Sequence, residues 1–106
     1  MSAEVIPFPQ TPEAPQPDLR TALGEVLREE RREQERTLAD VAESAAVSLP
    51  YLSEVERGRK DVSADLLGAI AAALELDVPT VLERTARRLR TSAGVQRGVR
   101  MQLLAA

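Results

Sequence analysis

Between Thr37 and Gly58 the chain reads TLADVAESAAVSLPYLSEVERG, and its chemistry-bearing side chains gather in the second half of that stretch. A helix capped by Ser48 gives Leu52 and Val55 to a core and leaves Ser48, Leu49, Pro50, Ser53, Glu54 and Arg57 outward. That set combines hydroxyls, two compact apolar groups, a carboxylate acceptor and a long guanidinium donor. It suits contact with another surface and lacks the convergent groups of a catalytic site. The chain has no cysteine and no histidine, which removes thiol catalysis, imidazole bases, disulfides and the usual zinc sites. Its carboxylates are scattered along helix surfaces with no glycine-rich phosphate loop, so no enzyme, metal or cofactor is expected. Two short amphipathic helices joined by one tight turn are instead how a small protein presents a helix to a DNA groove.

The elements that must position this face are helical. With 106 residues, 43% of them hydrophobic and only 2% aromatic, the chain has room for one small all-α domain with a core of Leu, Val, Ile and Ala. Asp18 caps a first helix running to about Gln34, with Leu19, Leu23, Val26 and Leu27 on one face. Thr37 caps a second; Asp40 supplies a relative of the capping box, and Leu38, Val41, Ala42 and Ala45 form the inner face. Ser48 caps the third, where Pro50 is tolerated because the first turn does not need its N–H. Gly58 stops that helix in a left-handed conformation. Ser63 caps a fourth with Leu66, Leu67, Ile70, Ala71 and Leu74, and Pro79 opens a fifth carrying Val81, Leu82, Ala86 and Leu89.

Leu23 to Leu74 resembles the lambda-repressor and Cro-like helix-turn-helix family, of xenobiotic-response-element type. Leu38, Val41, Ala42, Val47, Tyr51, Leu52, Ser53, Val55, Glu56, Arg57, Gly58 and Ser63 stand at that family's spacings. The resemblance implies a five-helix, lambda-repressor-like DNA-binding bundle over residues 18–91 that binds half-sites of double-stranded DNA as a homodimer. Its third helix would lie in the major groove with the N-terminal residues, from Ser48, nearest the bases. On that docking Leu49 and Pro50 meet thymine methyls, Ser53 bonds a base or phosphate, Glu54 accepts from cytosine, and Arg57 reaches guanine or phosphate. Backbone amides near Thr37, Leu38 and Ser48 hold phosphates, with Tyr51, Arg59 and Lys60 as further backbone contacts. For Arg59 and Lys60 an ordinary solvated side chain is the competing reading. The resemblance also implies a partly buried salt bridge between Arg31 and Glu56 that orients the third helix. Two departures stand out: Ala46 occupies a turn position that is usually glycine, and Leu38 stands where a phosphate-binding glutamine is common.

Charge is weak support for DNA binding. From Leu19 to Glu83 eight basic residues face fourteen acidic ones, whereas after Glu83 six arginines, Arg84, Arg87, Arg88, Arg90, Arg97 and Arg100, stand with no acidic residue. Bulk attraction to phosphate is therefore unavailable to the domain, and the arginine cluster also reads as a solvated helix face. Residues 1–17 hold five prolines and are expected to form a flexible arm, solvated or docking through Ile6 and Phe8. In the tail, residues 92–106, Val95, Val99 and Leu103 recur every four residues, which predicts an extra C-terminal helix. That helix, together with Leu82, Ala86 and Leu89, would form the dimer interface. Ser92, Gly94 and Gly98 support a frayed tail instead.

Leu104, Ala105 and Ala106 resemble the terminal tags read by Clp-type unfoldase-proteases. The whole layout is similar to the actinobacterial regulators of Clp protease genes. It implies an activator of proteolysis and stress genes, with RNA polymerase and a Clp-type protease as further partners. The start of the chain lacks a basic, apolar leader, and no run approaches the roughly 18 apolar residues of a membrane span, so a cytoplasmic protein is expected. The acidic domain and Leu38 favour an alternative, a protein-interaction module of co-regulator or antitoxin type that does not bind DNA. The polar outer face of the third helix opposes it.

Overall fold

Each capping residue named from the sequence opens a helix in the computed structural model, which describes residues 18–105 and the side chains of residues 18–92. The helices are α1 (Leu19–Glu33), α2 (Leu38–Ala45), α3 (Leu49–Glu56), α4 (Ala64–Ala73) and α5 (Val78–Ala105). Asp18, Thr37, Ser48 and Ser63 each accept a first-turn amide. The fifth cap is Asp77, which accepts from the Thr80 amide at 2.9 Å, so α5 begins at Val78, one residue ahead of Pro79. The arm, with Ile6 and Phe8, lies outside the described residues, as do the side chains of Val95, Val99, Leu103, Leu104 and Ala105 and all of Ala106.

The first four helices end alike. The amides of Arg36, Val47, Arg59 and Leu76 reach back five residues to the carbonyls of Arg31, Ala42, Glu54 and Ala71. The residue before each of them, Glu35, Ala46, Gly58 and Glu75, has positive φ. This is the Schellman stop, and only one of its four left-handed positions carries glycine. Ala46, at φ 58°, holds the left-handed conformation that the sequence left open, at a cost of about 1 kcal/mol.

α1 crosses α3 and α5, while α2 and α4 close the other side. Leu27, Val41, Leu52, Val55, Ile70, Leu74 and Val81 form the fully buried centre. Leu19 does not join it: it sits at the exposed start of α1. On α5 the inward position is Thr85, whose hydroxyl donates to the Val81 carbonyl at 2.8 Å, and Leu82 points outward, 50% exposed. Beyond Val81 the hold on α1 is ionic. Arg84 meets Glu30 at 2.6 Å, and Arg88 spans Glu25 and Glu29 at 2.9 and 2.5 Å. These two arginines are therefore bound to α1 and are not a free solvated face. The hydrogen bond from Arg84 holds the Glu30 carboxyl below its ordinary range. The sign follows: that stabilisation is present above the ordinary glutamate range and is lost as acid protonates Glu30.

The tail does not form a separate element. α5 runs unbroken through Gly94 and Gly98 to Ala105. Each glycine costs only about 1 kcal/mol in a helix, and helix-favouring Arg, Gln, Met and Leu flank them.

Gly24 decides how closely α1 approaches α3. A Cβ there would lie 2.5 Å from the carbonyl oxygens of both Val55 and Glu56, atoms that cannot swing aside, whereas a Cβ on Gly68 meets nothing within 4 Å. Gly24→Ala is expected to lower unfolding stability by about 3 kcal/mol. Gly68→Ala should raise it by up to about 1 kcal/mol through helix propensity. Chemical denaturation of the two variants checks this, and equal midpoints would refute the close crossing.

Candidate DNA interface

α2 is fixed at its start by a full capping box: Thr37 Oγ1 accepts from the Asp40 amide at 3.0 Å, and Asp40 Oδ2 accepts from the Thr37 amide at 3.1 Å. The latter bond holds the Asp40 carboxyl below its ordinary value. Three residues, Ala46 to Ser48, then turn the chain into α3. Ala46 supplies the left-handed step, Val47 tucks against the core, and Ser48 Oγ accepts from the Tyr51 amide at 3.1 Å. The turn is short because its hydrogen bonds are local.

The rotation of α3 about its axis is set by Leu52, Val55 and Glu56, which all face inward. Glu56 is met by Arg31 of α1 in a two-point pair, Nε to Oε2 at 2.8 Å and Nη2 to Oε1 at 2.9 Å. The two side chains are only 14% and 7% exposed. The same guanidinium donates through Nη1 to the Arg36 carbonyl at 3.0 Å, so one residue ties together α1, the α1–α2 turn and α3. The hydrogen bond from Arg31 to Glu56 raises the arginine's pKa further above its already high value. The arginine's charge is therefore retained throughout the range in which the protein folds.

With that face inward, Ser48, Leu49, Pro50 and Arg57 are exposed, and Ser53 and Glu54 are half-buried beside them. Leu49, 45% exposed, is one of three large apolar side chains open to solvent among the described residues. Thr37 is exposed at the start of α2, while Leu38 is half-buried and packs on the core, leaving its first-turn amide as its polar group. Tyr51 donates its hydroxyl to the Asp61 carbonyl at 3.0 Å, which braces the α3–α4 loop on α3. Asp61 also pairs with Arg20 at 2.5 Å, and Gly58 turns that loop at φ 75° against Thr21 of α1, where a Cβ would not fit. Arg59 and Lys60 on this loop are exposed. Leu38, Ser53 and Arg57 meet Arg28, Arg31 and Glu56 around a notch of about 170 Å³ between α1, α2 and α3.

The structure thus brings Leu38 of the α2 start together with Ser53 and Arg57 at one notch. Of the residues expected to dimerise, those with described side chains lie on α5: Leu82 is open, while Ala86 and Leu89 are half-buried. Arg28, Gly24 and Asp77 were not singled out from the sequence. For Arg28 a signal existed, since it precedes Arg31 by three residues and so shares its helix face. For Gly24 none did, because nothing local marks a crossing with α3.

Residues 22–85 match the family model described as a helix-turn-helix domain. The chain belongs to the helix-turn-helix family of DNA-binding transcription regulators. More particularly it is related to the transcriptional regulator ClgR of Mycobacterium tuberculosis (strain ATCC 25618 / H37Rv), with 49% identity over 84 residues, 76% of this chain and 75% of the relative. The crystal structure of the clp gene regulator ClgR from Corynebacterium glutamicum matches with TM-score 0.78 and 41% identity, over 86% of this chain and 97% of that one. The restriction-modification controller protein C.Esp1396I, solved as a tetramer on its natural 35 base-pair operator, shares the fold at TM-score 0.64 and 22% identity, over 70% of this chain and 97% of that one. No helix among the described residues is long and apolar enough to cross a membrane.

Glu56→Gln leaves the Arg31 cation enclosed without its counter-charge and is expected to cost about 3 kcal/mol. Asp61→Asn removes only an exposed ion pair and should cost under about 1 kcal/mol. Urea denaturation of both variants gives the comparison, and similar losses would remove the special role of the Arg31–Glu56 pair.

Proposed function

We propose that this protein is a sequence-specific transcription regulator that binds paired DNA half-sites as a homodimer and activates genes of proteolysis and the stress response, clp genes among them. The observation that carries the reading is the outward face of α3: an open Leu49 between exposed Ser48 and Pro50, on a helix whose opposite face is clamped by Arg31. An aliphatic group held rigidly in the open at a helix start suits a thymine methyl, and the neighbouring Glu54 suits a cytosine amino group. The kinship with the ClgR proteins supports clp genes as targets.

The acidic composition is compatible with this function because the cations beside the reading helix are left unpaired while other arginines are taken up by carboxylates. Glu25, Glu29, Glu30, Glu56 and Asp61 are all paired with arginines, while Arg57, Arg59 and Lys60 at the C-terminal end of α3 form no ion pair among the described residues. Affinity then comes from local cations and from doubling the site, since one small reading helix makes few base contacts. The open Leu82 with Ala86 and Leu89 forms a strip along α5. A second subunit on that strip pairs the two reading helices, and activation brings the dimer against RNA polymerase at the promoter.

Selection of genomic fragments with the purified protein is expected to enrich a two-fold symmetric motif near clp-type genes, with Leu49→Ala and Glu54→Ala shifting the preferred bases. Absence of any enriched fragment across a range of salt would instead favour the interaction-module reading. For assembly, Leu82→Asp should convert a dimer to monomer in sedimentation equilibrium while the circular dichroism stays helical. A dimer that persisted would move the interface off this strip.

A further inference from the structure

The notch between α1, α2 and α3 is lined by three arginines and one carboxylate: Arg28, Arg31, Arg57 and Glu56, with Ser53 and Leu38 completing the wall. Both oxygens of Glu56 are occupied by Arg31. The pair is neutral together, so the notch keeps the charge of Arg28 and Arg57. Neither of these makes an ion pair among the described residues, although acidic side chains outnumber basic ones across the domain and four other arginines have found carboxylates. Two unneutralised guanidinium groups brought to one concavity, in an acidic domain, repel each other unless an anion enters.

We propose that this notch is a phosphate-binding subsite of the DNA interface, in which Arg28 of α1 and Arg57, just past the end of α3, together hold one backbone phosphate, with Ser53 as a hydroxyl donor. The proposal rests on the DNA-binding reading and adds α1 to the elements that touch the duplex. The volume, about 170 Å³, is several times a water's share of the liquid and admits a phosphate group with bridging water. Guanidinium groups match phosphate through paired N–H donors, and Arg28 is long enough to reach across the corner where Leu38 offers no polar side chain. Arg57 is thereby assigned to phosphate and not to guanine, and α3 reads sequence through Leu49, Pro50 and Glu54.

The test is fluorescence anisotropy of the full-length protein on two labelled duplexes, one carrying the selected motif and one of mixed sequence, titrated at a series of KCl concentrations. Arg28→Ala is expected to weaken both duplexes by a similar factor, on the order of tenfold. It should also reduce the slope of log K against log salt by about 0.9 per bound subunit. Arg28→Lys should retain most of that slope. Arg32→Ala, which removes an exposed charge from the same helix outside the notch, should change the slope little. Arg28→Ala combined with Arg57→Ala should lose less than the sum of the single losses, because the two residues share a phosphate. An unchanged slope in Arg28→Ala, or an equal loss in Arg32→Ala, overturns the subsite while leaving DNA binding intact. A wild-type protein that bound neither duplex would overturn the DNA-binding reading, and this one with it. Arg28 is exposed, so thermal unfolding of Arg28→Ala should match the parent and separate binding from folding.

Discussion

The arrangement of this molecule depends on one enclosed charge, the Arg31 guanidinium, and on the two oxygens of Glu56 that neutralise it. A cation taken out of water is tolerated only where its donors are answered by acceptors in fixed directions, so the pair defines both the position and the rotation of α3. The third acceptor, the Arg36 carbonyl, lies at the turn into α2 and fixes that helix to the same point. Gly24 makes the geometry attainable. Without a side chain at that position α1 comes close enough for Arg31 to reach Glu56 while Val55 is buried between the helices.

Fixing α3 from behind determines what the molecule offers in front. The start of the helix exposes small and apolar groups and its end exposes cations, a polarity suited to reading bases at one end and gripping the backbone at the other. Net charge describes this poorly. Four of the carboxylates that make the domain acidic hold α5 and the α3–α4 loop on α1, and the cations at the end of α3 are spared such pairing. The same ionic clasp keeps the first turns of α5 in place and leaves Leu82 free on its far side.

The parts of this organisation legible in the residues are those made by contacts within a few positions. Thr37 with Asp40, Ser48 with Tyr51, and Gly58 after α3 each satisfy amides or carbonyls inside their own turn, so capping residues and glycine placement located α2 and α3 almost to the residue. The pairing of Arg31 with Glu56 followed from family likeness and not from spacing, since 25 residues separate them. Less legible were the left-handed conformations of Glu35, Ala46 and Glu75, where three side chains occupy positions that favour glycine because the helix stop around them is over-determined by two backbone hydrogen bonds.

By itself the sequence determined an all-helical bundle, the ends of most helices and the identity of the outward face of α3, because these rest on hydrogen bonds and periodicities that act over four residues or fewer. Only the tertiary structure decided which arginines among the described residues are paired, that Thr85 rather than Leu82 faces inward, that α5 continues as one helix, and that Gly24 sits at the crossing with α3 and Arg28 at the notch. Each of these depends on what another helix places opposite, and the distance along the chain between such partners carries no local signal.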